Sequence, residues 1–189
     1  MTLDQMYHEI ATYVDEDFPA AGPYTGDDLI LANKFKSAVN TAYLKIAKEV
    51  YRMEYKEDVV LDSNSQFAIS SLTKTFYQAK KIENTNEYPV DWEFVPEEKI
   101  ECINESSGNT VTVFYYYLPA ELTDTDTPVF PAGVLDHKVL CYFAAFAYWN
   151  MEVDDSAPAK AAKWLALWND GYLNIKPARG AKMRIRRVC

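Results

Sequence analysis

Two histidines, three cysteines and four acidic clusters are the residues through which this chain could do chemistry. A hydrolytic metal site needs ligands converging at fixed spacing, for which a helix supplies i and i+4. His8 and His137 each fall in a segment of helical pattern with no second ligand at that spacing. Asp15-Glu16-Asp17, Asp27-Asp28, Glu97-Glu98 and Asp154-Asp155 could pair carboxylates for acid–base work. Each stands in a loop or at a helix end, where acids serve the backbone donors and the helix dipole. Cys102, Cys141 and Cys189 are far apart and odd in number, which gives neither a metal spacing nor a disulfide framework. Cys141 lies in an apolar run and reads as core, and a reducing compartment is the expectation. No dinucleotide, phosphate-loop, serine-hydrolase or zinc-protease motif occurs. The expectation is therefore a protein that is not an enzyme and uses no metal or cofactor.

The charge is unevenly distributed. Lys176, Arg179, Lys182, Arg184, Arg186 and Arg187 lie in the last fourteen residues, which hold no acid. Residues 1–175 are left with 13 basic against 28 acidic residues, a net of −15. An acidic body with a basic end suggests an arm that seeks an anionic partner, either nucleic acid or the acidic surface of another copy. Met183, Ile185 and Val188 alternate with the cations, a pattern that a purely solubilising tail does not need. No secretory leader is expected, because Asp4, His8 and Glu9 interrupt the opening segment. The longest apolar run, Val139 to Trp149, is shorter than the roughly 20 residues that cross a bilayer, so no membrane partner is expected.

Hydrophobic periodicity supplies the elements that must carry these groups. Residues 2–14 read as a short helix in which Thr2 and Gln5 have capping-box spacing. A long helix from about Asp27 to Glu54, capped by Thr25 or Asp28, carries a stripe of Leu31, Phe35, Val39, Ala42, Ile46 and Val50. Residues 57–118 contain short β-branched and aromatic runs that predict an antiparallel sheet or small sandwich. Its clearest expected hairpin is Lys99–Ile103 returning as Thr110–Leu118. Tyr115, Tyr116 and Tyr117 put aromatic surface on both faces of that return strand, a candidate contact between subunits. They could also stack on bases, but the acids Asp91, Glu93, Glu97 and Glu98 argue against nucleic acid there. Residues 119–131 read as a Pro-containing acidic linker. Two helices follow, about Gly133–Met151, apolar all round, and about Ala157–Leu173, with Ser156 as cap and a stripe of Ala161, Trp164, Leu165, Trp168 and Tyr172. The fold class is α+β, a helical bundle with an inserted antiparallel sheet. Residues 1–175 form one globular domain, with a helical core from 1–56 and 128–175 and a β insertion at 57–122, followed by the arm 176–189.

This order of elements resembles the head-to-tail connector (adaptor, or neck) proteins of tailed bacteriophages. The residues that carry the resemblance begin with the long helix, Asn33-Lys34-Phe35-Lys36-Ser37-Ala38-Val39-Asn40-Thr41-Ala42-Tyr43. They continue in the strand Val111-Thr112-Val113-Phe114-Tyr115-Tyr116-Tyr117-Leu118-Pro119 and the acidic Thr123-Asp124-Thr125-Asp126-Thr127-Pro128. A near all-apolar helix and a helix with Ala161-Ala162-Lys163-Trp164 close the series. The likeness spans about residues 3–173 and lies in the order of patterns. It implies a virion protein assembled in the host cytoplasm as a ring of about twelve copies, docked on the portal protein and joined to tail or neck proteins. Genomic DNA would pass through its channel without sequence-specific contact. It further implies that the C-terminal segment grips the portal, with Lys176, Arg179, Lys182, Arg184, Ile185, Arg186 and Arg187 as the contact residues. The density of arginine there departs from the family pattern and leaves DNA as a second target. A tail-completion or stopper position in the neck, and a DNA-binding regulator acting through the arm, stand as alternatives. A hydrolase remains only as a residual, since no nucleophile and base can be paired.

Overall fold

The computed structural model describes residues 1–130 and 133–175. The fold is α+β, and the described residues divide into two compact units: a helical one from Met1–Tyr51 with those from Glu121 to Ile175, and a β-rich one from Arg52–Ala120.

The helical unit opens with α1, Leu3–Val14, which buries Leu3, Met6, Tyr7, Ile10, Ala11 and Val14 at helical spacing. Its first turn is fully satisfied, as helix ends require. The expected capping box is present: Thr2 Oγ1 accepts from Gln5 N, and Thr2 N donates to the Gln5 side chain. The amides of Leu3 and Asp4 donate outward to the carbonyls of Asp126 and Asp124, each at 2.9 Å.

The second helix, α2, spans Gly26–Glu49. Phe35, Val39, Ala42 and Ile46 of the expected stripe are buried, joined by Ala32, Tyr43, Ala47 and Asn40, whereas Leu31 and Val50 are only half-buried. Thr25 occupies the N-cap position without a side-chain cap bond. The helix stops five residues before the expected Glu54. From Met53 the burial alternates with period two, and backbone pairing in a sheet overrides the helical composition of Glu54, Lys56 and Glu57.

Buried Asn40 is 4% exposed and donates to Leu122 O at 3.2 Å, while Leu122 N donates to Asn40 Oδ1 at 2.7 Å. The supposed linker is thus a fastened segment. Tyr7 donates to Asp124 at 2.9 Å, Lys36 lies 3.6 Å from the same carboxylate, and Thr123 donates twice to Asp126.

Helix α3, Lys138–Trp149, starts five residues later than expected, after a turn in which Asp136 accepts from Lys138 and Val139. Cys141, Ala144, Ala145 and Tyr148 face the core, while Tyr142, Phe143, Phe146 and Ala147 are half-buried. Helix α4, Ala157–Leu173, has its predicted limits and a proline in its first turn. Ser156 holds the N-cap position as expected but makes no side-chain cap bond; its amide and hydroxyl donate to Asp154 instead. Ala161, Trp164 and Trp168 are buried as expected, but Leu165 is 36% exposed. Gly171 makes the close contact between α3 and α4, since a Cβ there would lie 2.5 Å from Val139 Cγ2.

The β unit holds two three-stranded antiparallel sheets over one core. We number the strands β1 Met53–Val60, β2 Gln66–Ala68, β3 Phe76–Asn84, β4 Asp91–Val95, β5 Lys99–Ile103 and β6 Thr110–Tyr117. The sheets run β1-β6-β3 and β2-β5-β4. Val111, Val113, Tyr115 and Ile82 of the first and Phe67, Ile100 and Cys102 of the second belong to that core. The expected hairpin of Lys99–Ile103 with Thr110–Leu118 does not form, because β5 and β6 lie in different sheets. Their link instead bonds to the segment between β1 and β2, through Gly108 N to Leu61 O and Leu61 N to Asn109 O. The local hairpin is β4–β5, which turns through Pro96 and two left-handed glutamates, Glu97 and Glu98.

Two predictions follow from this packing. Asn40→Ala leaves the buried Leu122 N–H and C=O unpaired and is expected to cost about 2–4 kcal/mol, read as a lower denaturant midpoint, whereas Thr41→Ala on the exposed face changes it by under about 0.5. Gly171→Ala is expected to lower the thermal midpoint even though helix propensity alone favours alanine by about 1 kcal/mol, because overpacking against Val139 costs about 1–3. Adding Val139→Ala to Gly171→Ala should recover part of the loss; a stabilised single variant would refute the close contact.

Candidate functional site

The residues proposed for the arm, Lys176, Arg179, Lys182, Arg184, Ile185, Arg186 and Arg187, lie outside the described residues. The three tyrosines of β6 separate by strand alternation. Tyr115 is fully buried, donates to Glu57 and accepts from Lys74 N, so it cannot belong to a surface between subunits. Tyr117 lies on the same side, half-buried against Tyr55. Tyr116 is half-buried on the opposite face with Phe114. There cations cover the rings: Arg52 lies 5.5 Å from Tyr116, Lys80 6.0 Å from Tyr116, and Lys81 4.1 Å from Phe114. Acids neutralise this face, since Lys80 pairs with Glu54 at 2.7 Å and Lys81 with Glu83 at 2.5 Å. The acids Asp91 and Glu93 belong to β4 of the other sheet, so they do not flank the tyrosines in the strand pairing.

The two histidines and two of the cysteines are packed within the fold. His8 packs against Phe18 and lies 4.0 Å from Asp4, and His137 Nδ1 is 2.9 Å from the Met1 amino group. Burial, with the adjacent ammonium, pushes the His137 pKa down. Burial pushes the thiols of Cys102 and Cys141 up to about 11 and about 12, which keeps them protonated and unreactive at neutral pH. Among the described residues no group of three His, Cys, Asp or Glu side chains could hold a metal.

What the sequence did not announce is how the acids are satisfied. Among the described residues six tyrosine hydroxyls donate to carboxylates: Tyr7 to Asp124, Tyr13 to Glu9, Tyr24 to Asp4, Tyr115 to Glu57, Tyr148 to Glu16 and Tyr172 to Glu49. Only Tyr13 and Glu9 stand at helical i, i+4 spacing, the one local signal; the other pairs join residues distant in sequence. The Lys138 hydrogen bond, then that of Tyr13, holds Glu9 below the usual carboxylate range. Tyr172 does the same for Glu49. Burial pulls Glu57 upward, but the bonds from Thr73 and Tyr115 outweigh it and leave its pKa lowered.

The helical unit also exposes apolar side chains beyond its core. Met151 and Val153 follow α3 at 59% and 100% exposure, and Leu167 and Leu173 project from α4. Between α2 and α3 lies a groove of about 640 Å³ lined by Ile30, Ala38, Phe143, Ala147 and Met151, with Asn33, Lys34, Ser37 and Thr41 along α2.

No protein-family model matches the chain, and no curated protein does. Solved structures similar to it include a chain from the virion of a native gene transfer agent particle, at 13% identity and a TM-score of 0.27, covering 87% of this chain and 91% of that one. Another comes from the neck of an empty gene transfer agent particle computed with C6 symmetry, at 12% identity and a TM-score of 0.29, covering 84% and 87%. Likeness at that level fixes neither a function nor a partner for this chain.

The tyrosine–carboxylate bonds predict an alkaline limit. Burial first, and the bonded carboxylate second, raise the pKa of all six hydroxyls. An unfolded tyrosine ionises near about pH 10, so the stabilisation is complete below that value and is lost as the pH rises above it. The tyrosinate absorbance of these six residues is expected to appear together with the loss of helical circular dichroism, above pH 10. Ionisation of every tyrosine with the helical signal intact would contradict these bonds.

Proposed function

We propose that this chain is a structural protein of a phage-type virion neck: a non-catalytic subunit of a head-to-tail connector ring that docks on a portal and surrounds the DNA channel. The observation that carries this reading is the order of parts: a helical unit interrupted by a β unit, closed again by the acidic segment at Leu122–Asp126, and followed by a basic C-terminus. A ring subunit needs lateral contact surface, which Val153, Leu167 and Leu173 supply as exposed apolar groups on the helical unit. A body of net charge −15 offers DNA no phosphate-binding groove and lets it slide. The use of Asp154 as an acceptor for Ser156, Glu16 as a tyrosine acceptor and Cys102 and Cys141 as core supports a role without catalysis.

The acid-free run of six cations in residues 176–189 favours a second reading, a DNA-binding regulator that acts through this segment. One set of experiments separates the two. Full-length protein is expected to form rings, or to decorate purified portal rings, in negative-stain images, and to bind duplex DNA weakly and without sequence preference. Persistent monomers that ignore the portal would sink the connector reading. Tight DNA binding that weakens steeply with salt would install the regulator in its place.

A further inference from the structure

The α2–α3 groove continues at one end into a second depression of about 350 Å³, with which it shares Ile30 and Lys34. Glu16, Asp27 and Glu152 line that end, so three acids face one lysine. An apolar trough with an acidic end fits a ligand that carries apolar side chains beside several cations. The chain contains such a segment, Met183-Arg184-Ile185-Arg186-Arg187-Val188. In extended backbone Met183, Ile185 and Arg187 would project to one side, so that two apolar side chains are followed by a cation along one edge.

Reach agrees with chemistry. Tyr172, near the end of α4, donates to Glu49 at the end of α2, so the C-terminal segment departs from the end of α2 opposite to Asp27. From Glu49 back to Asp27 is about 33 Å along the helix at about 1.5 Å per residue. An extended chain leaving Ile175 reaches at most about 30 Å by Arg184 and about 40 Å by Arg187. The span is therefore long enough for the cations to meet the acids and for the apolar residues to meet the groove.

We infer that residues 182–188 dock in cis in the α2–α3 groove of the same chain, with Met183 and Ile185 on the side of Ile30, Phe143 and Met151, and Arg187 on the side of Glu16, Asp27 and Glu152. The inference does not depend on the connector reading. It makes the groove a latch for the basic segment, so that any partner of that segment competes with the chain's own acids.

The test uses the full chain and its terminal Cys189. Cys102 and Cys141 are buried, and Val153, fully exposed beside Glu152, can be replaced without touching the groove or its acids. Under mild oxidation Val153→Cys is expected to form an intramolecular disulfide with Cys189 at a rate independent of protein concentration. It should form about tenfold faster than in Thr41→Cys at the far end of the groove, because docking raises the effective concentration at one position only. Neutralising the acids with Glu16→Gln, Asp27→Asn and Glu152→Gln in the Val153→Cys background should remove that advantage. Equal rates at the two positions, or a rate indifferent to the acids, would overturn the latch. Covalent dimers in place of the internal bond would assign the groove to the segment of a second copy and equally overturn docking in cis.

Discussion

The helical unit depends on one fastening, the pair of hydrogen bonds between the buried Asn40 amide and the Leu122 backbone. The chain leaves this unit at Tyr51 and rejoins it at Glu121. Closure entropy grows only slowly with the length of the excursion, so length is not the obstacle. The obstacle is returning to one register, and a side-chain amide that both donates to and accepts from a single residue specifies it. The excursion is built to help, because its first and last strands are neighbours: Met53 is the pairing partner of Tyr117. The β unit therefore releases the chain close to where it took it up, as insertions into an existing fold require. Once Leu122 is set, Asp124 and Asp126 fall in line to complete the first turn of α1. A segment without regular structure thereby satisfies the amides that a helix cannot satisfy itself.

The same segment shows how an acidic body holds its charge. Asp124 takes a hydroxyl from Tyr7 and stands near Lys36, so a neutral donor carries part of what a cation would otherwise carry. Tyrosine repeats this service at five other carboxylates. Hydrogen bonds to an ionised acceptor are stronger than neutral ones and, unlike exposed ion pairs, do not rest on two flexible charged chains. Tyrosine thus shares with lysine the task of partnering the acids of the body, while the sequence keeps an acid-free cationic run at 176–189.

Local signals were legible in the sequence. The Thr2–Gln5 capping box, the limits of α4 and the in–out alternation of Thr110 to Val113 each rest on residues a few positions apart. Failures occurred where a distant partner decides. Asn40 in mid-helix looks solvent-facing until Leu122 arrives. The Leu122–Asp126 stretch looks like a linker because its partners lie in α1 and α2. The β5–β6 hairpin was the obvious reading of two strands joined by a Gly-containing loop, yet β6 had two longer partners, β1 and β3, and β5 had a shorter link to β4. Leu165 sits at a core-like interval, but the buried face of α4 runs through Ala157, Ala161, Trp164 and Trp168. Of the candidate site, the tyrosine run was legible as a strand, while its division into a buried Tyr115 and a cation-covered Tyr116 needed the pairing register.

The two units differ in what they leave for partners. In the β unit Val60, Tyr88, Phe94 and Ile103 are exposed, but each comes from a different strand or turn, and single exposed hydrophobics are normal. In the helical unit Ile30 and Met151 share one groove with Phe143 and Ala147, and Val153 follows two residues later. Grouped apolar surface calls for an occupant in a way that scattered surface does not. The tyrosine face of the β unit already has its rings under Arg52, Lys80 and Lys81, and those lysines are in turn paired with Glu54 and Glu83. A partner there would have to displace satisfied charges, whereas one meeting α2 and α3 would bury side chains that nothing among the described residues covers. The balance of desolvation therefore puts the main recognition surface on the helical unit and leaves the β unit a self-contained body between two fixed points of the chain.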